Sequence, residues 1–283
     1  GVAAGQQSIP LVFNFTDPDI TNDVTAEELG ITELIYAETS YFRGSTTARI
    51  QNITIASSQF HGLLIPPGAT FSMAQAMGDI SLDNGYAEAL IIDGDRTIRG
   101  VGGGVCQVSS TLFRTAFFSG FPILERHAHS YRVGYYEQTS TGHNSNLAGM
   151  DATVFFPLVD LVFVNDTPYW LLMETYINTS NYSLTWKFYS TSDGRTVDWS
   201  TTGPVDTVAP PDDVYNLNPD LAQGEIVQVD YAAEGANVTV DRTVYRNGSV
   251  YFSDSFYTHY SAWANVYEFG PGTDVPYQSN PSE

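Results

Sequence analysis

Cysteine is almost absent from this chain, since Cys106 is the only one among 283 residues. A single thiol excludes an internal disulfide. A lone cysteine with histidines elsewhere in the sequence is typical of a candidate nucleophile, and a buried, inert thiol is the alternative. The first question is therefore what surrounds Cys106.

Basic residues are also scarce, with 11 lysines and arginines against 32 acidic residues and a formal net charge of −21. This charge opposes binding to a phosphate backbone, so no nucleic-acid partner is expected. The sequence has no apolar run long enough to span a bilayer, and we expect any membrane anchor to lie outside these residues. Hydrophobic residues make up 42% of the chain, which is sufficient for packed cores.

Three consecutive glycines precede Val105 and Cys106, and a helical pattern follows them. Apolar residues recur at helical spacing from Val108 to Phe117, and Gly120 marks the end of the pattern. Cys106 is thus predicted at a helix N-terminus. Free N–H groups and the positive end of the helix dipole favour a thiolate at such a position.

After Gly120 the sequence pattern changes from helical spacing to a period of two. This predicts a strand over residues 123–133 with His127 and His129 on one face. A helix of about 20 Å followed by a returning strand brings these histidines back to the level of Cys106. A thiol, an imidazole and amide donors are the components of a cysteine acyl-transfer site.

Six segments in succession resemble the motifs of the VanW domain, a bacterial cell-envelope family. They are Arg49 with Asn52, residues 67–72, Gly85-Tyr86 with Ala89, and residues 102–107, 125–130 and 149–154. The resemblance covers roughly residues 31–177. It implies an extracytoplasmic protein of the cell envelope, because some members of the family are L,D-transpeptidases that cross-link peptidoglycan through a cysteine.

The resemblance also ranks the candidate residues. By position, Cys106 matches the cysteine of the family, His129 its histidine, and Asp151 the aspartate of its Asp-Ala-Thr motif. His127 falls on a position that the motif leaves free. The resemblance thus implies His129, rather than His127, as the base.

Beyond residue 178, alternating aromatic and polar residues predict strands and hairpins. Residues 224–270 resemble the small extracellular all-β module named for its five glycines, which is thought to bind cell-wall polymers. The resemblance implies peptidoglycan stem peptides and glycan as partners. The candidates for stacking on glycan are Tyr251, Tyr257, Tyr260 and Trp263.

The predicted fold class is α+β, with the cysteine helix packed on a sheet and a smaller, mainly β module after it. The predicted divisions are a tail of an upstream domain (1–30), the VanW domain with trailing β-strands (31–203), a proline-rich linker (204–213), a small all-β wall-associated module (214–272) and a flexible tail (273–283).

The first of three functional hypotheses is a cysteine-dependent transpeptidase. Cys106 attacks a tetrapeptide stem between an L-centre and the terminal D-residue, His129 or else His127 transfers protons, and Asp151 orients the histidine. The product is a 3-3 cross-link formed through a thioester acyl-enzyme.

Further residues complete this hypothesis. Backbone amides around Gly103, Gly104 and Gln107 are expected to hold the oxyanion. Arg126 either holds a substrate carboxylate or forms a structural ion pair with Glu125 or Asp151.

Two alternatives remain open at this point. In one, Cys106, His127 and His129, with or without Asp151, bind zinc, although their spacing matches no known zinc pattern. In the other, the chain binds cell wall without catalysis and its cysteine is structural. The leading hypothesis needs neither a metal nor a cofactor.

Overall fold

The computed structural model describes residues 20–21, 23–93 and 96–276. The predicted upstream tail (1–30) and the predicted flexible tail (273–283) therefore lie largely outside the described residues. In the described part there are three α-helices: α1 Thr47–Ser58, α2 Met73–Met77 and α3 Val105–Phe118. None of the helices in this part is long and apolar enough to cross a membrane.

Strands dominate the described chain. The first eleven are β1 Glu33–Tyr41, β2 Leu63–Ile65, β3 Thr70–Ser72, β4 Glu88–Asp93, β5 Arg96–Val101, β6 Ile123–Glu125, β7 Gln138–Thr139, β8 Gly142–His143, β9 Val162–Val164, β10 Leu171–Asn178 and β11 Ser183–Ser190. The others are β12 Arg195–Thr201, β13 Val205–Val208, β14 Val214–Leu217, β15 Ile226–Asp230, β16 Gly235–Arg246, β17 Ser249–Tyr260 and β18 Val266–Phe269. The α+β prediction thus overstates the helical content, and the fold is mainly β.

The largest sheet of the N-terminal part has the order β1-β11-β10-β2 and is antiparallel. In β11, Leu184, Trp186 and Phe188 alternate with less buried residues and fill the core, as expected of a half-buried strand. Helix α3 contacts this sheet through the hydroxyl groups of Ser40 and Thr111, which lie 2.6 Å apart. The helix that carries Cys106 is almost entirely buried.

The strand predicted over 123–133 is much shorter than expected. Strand β6 pairs with β9 but ends at Glu125, and His127 then makes a single isolated bridge to Thr153. The pairing stops because Arg126 turns onto the irregular neighbouring segment, where its Nε donates to the carbonyl of Asp151 at 2.6 Å. His127 and His129 consequently do not share the face of one regular strand.

The C-terminal part contains a sheet in which β16 pairs with β12, β13 and β17. Strand β13 lies within the predicted linker (204–213), so that segment is not free of regular structure. Proline has no N–H to donate to a strand ladder, which restricts the pairing to the residues between Pro204 and Pro210. Strand β12, predicted as a trailing strand of the first domain, belongs to this C-terminal sheet.

A second small sheet completes this part, with the order β14-β18-β15. An Asn247-Gly248 turn joins β16 to β17, and both residues have positive φ, as a tight hairpin requires. The two parts of the molecule share one apolar core, because Val238, Val240 and Tyr260 pack in the same buried cluster as α3.

Candidate active site

Close packing explains the glycines before Cys106. Gly104 precedes α3 with φ +114°, in the left-handed region that favours glycine. A β-carbon there would lie 2.9 Å from Cγ of Arg49, and one at Gly103 would lie 2.4 Å from the carbonyl oxygen of Leu90. The glycines therefore let the turn press against α1 and β4, which fixes the start of α3.

Asn52 anchors this turn and was not singled out from the sequence as a functional residue. Its Nδ2 donates to the carbonyl oxygens of Ala87 and Gly103, both at 2.9 Å, and its Oδ1 accepts from the N–H of Ala87 at 2.7 Å. The available signals were its place with Arg49 in the first of the six family-like segments and a polar residue on the apolar face of a helix.

Besides Gly103, two amides at the start of α3 have no backbone acceptor among the described residues. Val105 and Gln107 donate their N–H groups to the carbonyls of Gly102 and Gly104. Within the described residues, the N–H groups of Gly104 and Cys106 donate to no backbone carbonyl, and no side chain caps the helix. This end of the helix can therefore offer donors to an anion.

Gln107 does not fit the predicted role at the oxyanion. Its amide N–H is already bonded, and its side chain is fully buried. The side-chain Oε1 accepts from Nη2 of Arg49 at 3.0 Å, and Nε2 donates to Oγ of Ser40 at 2.7 Å. Gln107 thus ties α3 to α1 and β1, while Gly103 contributes its carbonyl to Asn52.

The Cys106 thiol is partly exposed at the second position of α3. Its Sγ lies 3.3 Å from Oγ1 of Thr153 and 3.9 Å from the carbonyl oxygen of Val154, and it is hydrogen-bonded to His129. Burial alone would raise the pKa of the thiol, but the hydrogen bond and charge of His129 outweigh it and lower the pKa to about 7.

His129 is buried and held on both ring nitrogens. Its Nδ1 lies 2.5 Å from Oδ2 of Asp151, and its Nε2 lies 3.3 Å from the hydroxyl of Tyr136. The Tyr136 ring stacks on the imidazole at 4.8 Å between centroids. Burial would lower the pKa of His129, but the hydrogen bonds to Asp151 and Cys106 raise it to about 9.

The pKa order of the two groups is thereby reversed. In ordinary surroundings a histidine loses its proton at lower pH than a cysteine. Here the pKa of Cys106 is about 7 and that of His129 about 9, so a thiolate beside an imidazolium is the favoured state between these values. This is the ionised form in which a cysteine is nucleophilic.

Asp151 is the buried centre of the arrangement, with a side chain only 4% exposed. Its Oδ2 also accepts from the backbone N–H of His129 at 2.8 Å, and its Oδ1 accepts from the hydroxyl of Tyr260 at 2.5 Å. Burial would raise its pKa, but hydrogen bonds and charge from His129 and the charge of Arg126 hold it far below its usual range.

Arg126 supports Asp151, and the structure leaves it no access to substrate. Its guanidinium is 4% exposed and lies 3.3 Å from Oδ1 of Asp151. The same guanidinium donates to the carbonyl of Gly149 and to Oγ1 of Thr258, both at 2.8 Å. Of the two roles considered from the sequence, the geometry matches the structural ion pair.

The C-terminal part of the chain therefore builds one side of the site. Tyr260 and Thr258 both lie on β17, and the next residue, Ser261, donates its N–H to the carbonyl of Ser130 at 2.8 Å. Trp263 stacks on Tyr131 at 4.3 Å. No sequence pattern indicated these contacts, because they join residues more than 100 positions apart.

His127 lies apart from the Cys106 and His129 pair. Its side chain is 51% exposed, and its Nε2 lies 3.1 Å from Oε1 of Glu125. Among the described residues, no three cysteine, histidine or acidic side chains converge where they could hold a metal ion. The zinc hypothesis, which needs Cys106, His127 and His129 together, has no support from this geometry.

Cys106 opens into a cleft of about 610 Å³. The polar and ionisable residues of its lining include Arg49, Asp79, His127, Tyr135 and Thr153. Another depression, of about 130 Å³ and lined by Phe118 and Arg195 among others, contains neither a thiol nor a histidine. Of these two pockets, the larger is therefore the one that contains the thiol and the histidines.

Two apolar walls border this cleft. One is the β4–β5 hairpin, which contributes Leu90, and the other is the segment with Phe155, Phe156 and Leu158. All four side chains are about half exposed or more, and Leu158 reaches 76%. These walls can pack against the apolar parts of an extended ligand.

The aromatic residues considered for glycan binding fall into two groups. Tyr260 and Trp263 are buried and contribute to the site described above, so they offer no platform to a glycan. Tyr251 and Tyr257 are exposed on β17.

Comparison with known proteins supplies further findings. The family model described as VanW like protein matches residues 48–189. The chain is 30% identical over 154 residues to the uncharacterized protein YoaR of Bacillus subtilis, covering 54% of this chain and 46% of that protein. It is 27% identical over 163 residues to the vancomycin B-type resistance protein VanW of Enterococcus faecalis, covering 58% and 52%. The chain spans about half the length of these curated relatives.

Solved structures of G5 domains also match. The crystal structure of HP0197-G5 is 17% identical and covers 27% of this chain and 97% of that chain, with a TM-score of 0.14. The IgA1 protease G5 domain is 16% identical and covers 27% and 90%, with a TM-score of 0.15. Likenesses at these TM-scores carry no argument about the fold.

Proposed function

The chain belongs to the VanW-like family, whose model matches half of it, and from this premise we propose that it is a cysteine-dependent peptidoglycan L,D-transpeptidase of the cell envelope. The observation that carries the proposal is the hydrogen-bonded set Cys106, His129 and Asp151, in which Cys106 lies at an uncapped helix start in an open cleft. Nucleophile, proton carrier and orienting carboxylate are the parts that covalent acyl transfer requires.

In the first half-reaction, the Cys106 thiolate attacks the carbonyl carbon between the L-centre of a donor stem and its terminal D-residue. The carbonyl electron pair moves to oxygen, and the N–H groups of Gly104 and Cys106 stabilise the resulting oxyanion. The oxyanion then reforms the carbonyl, the C–N bond breaks, and His129 gives its proton to the leaving amine. The products are a thioester on Cys106 and a free D-amino acid.

In the second half-reaction, an amine on another stem attacks the thioester carbonyl. Neutral His129 takes the proton of the attacking amine, the C–S bond breaks, and the thiolate beside an imidazolium is restored. Asp151 keeps the imidazole in one orientation through both steps, since its Oδ2 holds Nδ1. The new amide is a 3-3 cross-link.

The substrate class follows from the family and from the shape of the cleft. Membership in the VanW-like family supports a location in the cell envelope, where peptidoglycan stems are available as substrates. The apolar walls and the volume of about 610 Å³ can accept a short peptide stem. We assign contact with glycan to exposed Tyr251 and Tyr257 of β17.

The direct test is capture of the thioester. The protein is mixed with purified tetrapeptide muropeptides, and intact-mass and peptide mass spectrometry follow the adduct. We expect an acyl adduct on Cys106, release of the terminal D-residue and 3-3 dimers. The Cys106→Ala variant should form neither adduct nor dimers.

Unchanged turnover by Cys106→Ala would overturn the proposal. Binding to peptidoglycan without any adduct would favour the wall-binding alternative. Stoichiometric zinc that depends on Cys106, measured by elemental analysis, would favour a metal site.

A further inference from the structure

Arg49 stands beside the start of α3 with its side chain against the glycine turn. It lies on α1 and lines the same cleft as Cys106. Its Cγ would be 2.9 Å from a β-carbon at Gly104, which places the stem of the arginine next to the proposed oxyanion donors. The position brings a permanent positive charge to the cleft.

Among the described residues, the guanidinium of Arg49 has only neutral partners. Its Nη1 donates to Oγ of Ser45 at 2.6 Å, and its Nη2 donates to Oε1 of Gln107 at 3.0 Å. The guanidinium also stacks over the ring of Tyr135 at 4.4 Å. These contacts orient the group, and none of the residues that the structure describes supplies a counter-ion for its charge.

The chain has 32 acidic residues, but none of those that the structure describes pairs with Arg49. Within the described part, Arg49 forms no salt bridge, whereas five other arginines do: Arg126, Arg132, Arg195, Arg242 and Arg246. Asp79 also lines the cleft, but it makes no ion pair with Arg49 and instead accepts from Asn84.

Two adjacent tyrosines connect Arg49 to the catalytic histidine. Arg49 lies over Tyr135, while His129 stacks on Tyr136, and the two tyrosine rings are 5.1 Å apart. The guanidinium and the imidazole thus flank one pair of aromatic rings. An anionic group held by Arg49 would lie close to the atom that receives a proton from His129.

We propose that Arg49 binds the free carboxylate of the terminal D-residue of the donor stem, and so determines which stems are used. The inference rests on the proposed function. The leaving amine and this carboxylate belong to the same amino acid. His129 gives a proton to its amine, and Arg49 binds its carboxylate. The planar guanidinium fork matches a carboxylate.

This arrangement selects donors by length. A stem with one residue more would carry its carboxylate about 3.5 Å farther along the chain and would present an uncharged amide at Arg49. Tetrapeptide stems are therefore accepted as donors, and stems extended by another residue are disfavoured.

The first test uses the intact protein and two thiol reagents. Iodoacetate carries a carboxylate and iodoacetamide does not, so the ratio of their rates at Cys106 reports the anion subsite without requiring any peptide substrate. We expect Arg49→Gln to lower the iodoacetate to iodoacetamide ratio about tenfold, the scale of one charge-assisted contact. Arg49→Lys, which keeps the charge but lacks the fork, should give an intermediate ratio.

Arg43→Gln is the matched control. Arg43 also stacks on a tyrosine, Tyr41, at 4.4 Å, and it lies outside the lining of the cleft. The control removes the same charge and should leave the ratio within twofold of the wild-type value. An equal ratio in the wild-type protein and Arg49→Gln, at an unchanged melting temperature, would overturn the inference.

The second test compares two donor peptides that end in a free carboxylate or in a carboxamide. The wild-type protein should acylate Cys106 faster with the acid, and Arg49→Gln should lose that preference. Equal rates for both donors in the wild-type protein would overturn the role of Arg49 while leaving thioester chemistry intact. No adduct from either donor would overturn the proposed function and, with it, the assignment of the carboxylate to a donor stem.

Discussion

The candidate site has a closed side and an open side. On the closed side, Asp151 is 4% exposed and its carboxylate is shared among His129, Arg126 and Tyr260. On the open side, Cys106 is partly exposed and His127 is 51% exposed. The buried groups of the closed side set the protonation of Cys106 and His129, whereas the groups of the open side are accessible to a ligand.

The closed side also shows what the C-terminal part contributes. An isolated buried carboxylate would be costly, so Asp151 needs partners on both oxygens. One oxygen is satisfied by His129, and the other by Tyr260 from β17 together with Arg126. In the proposed mechanism, catalysis at Cys106 therefore depends on a strand that lies outside the residues matched by the family model.

Asp151→Asn should have the largest effect on rate and stability together, because the carboxylate of Asp151 both orients His129 and pairs with Arg126. An amide in place of the carboxylate removes the negative charge beside Nδ1–H of His129 and replaces one of the two acceptor oxygens by a donor, and analogous losses cost about 10³–10⁴ in rate. Breaking the buried pair with Arg126 should also lower the free energy of unfolding by about 3–5 kcal/mol. Cross-link formation and denaturant unfolding measure the two effects, with the exposed Asp241→Asn as control.

His129→Ala should come next, with a loss of about 10² or more in acylation rate, since proton transfer to the leaving amine is then missing. The residual rate should rise when a donor with a better leaving group is used, because such a donor needs no proton from the enzyme. An equal loss with both donors would contradict the role of His129 as acid.

Tyr260→Phe should have a smaller effect, about tenfold in rate, because it removes one hydrogen bond to Asp151 and leaves the others. Without that hydrogen bond, the pKa of Asp151 should rise. The matched control is Tyr231→Phe in the C-terminal part, whose side chain is exposed. Equal rates for the two variants would show that the hydroxyl of Tyr260 does not contribute to catalysis, and would contradict the role of the C-terminal part.

His127→Ala should have the smallest effect, within twofold, since its imidazole contacts Glu125 on the open side and not Cys106. Steady-state cross-linking rates of His127→Ala and His129→Ala, measured under the same conditions, test the difference between the open side and the closed side. A loss for His127→Ala as large as that for His129→Ala would contradict it.

The sequence was informative where a local pattern decides the structure. The glycine turn and the helical spacing after it predicted Cys106 near the start of a helix, and α3 begins at Val105. Alternation predicted a strand after the helix, but its length and the ranking of His127 against His129 were not accessible from periodicity. Two histidines two positions apart occupy equivalent positions in any ideal strand.

The rest of the site depends on long-range packing. The ending of β6 is set by the contacts of Arg126 with a segment more than 20 residues away. Tyr260 reaches Asp151 across 109 positions, and it had been considered from the sequence only as a possible glycan platform. Pairings of this kind leave no local pattern, because any buried tyrosine in a strand has the same appearance in the sequence.

The most direct test of the central claim is the pH dependence of Cys106 alkylation by iodoacetamide. Thiolate formation should bring the rate to half its maximum near pH 7, because His129 lowers the pKa of the thiol. Acylation by a peptide donor should rise through the same pH and fall near pH 9, as the imidazolium loses its proton. In His129→Ala, half-maximal alkylation should move to about pH 8.5 or above, toward an ordinary thiol. A wild-type profile centred at about pH 8.5 and unchanged in His129→Ala would contradict the claim.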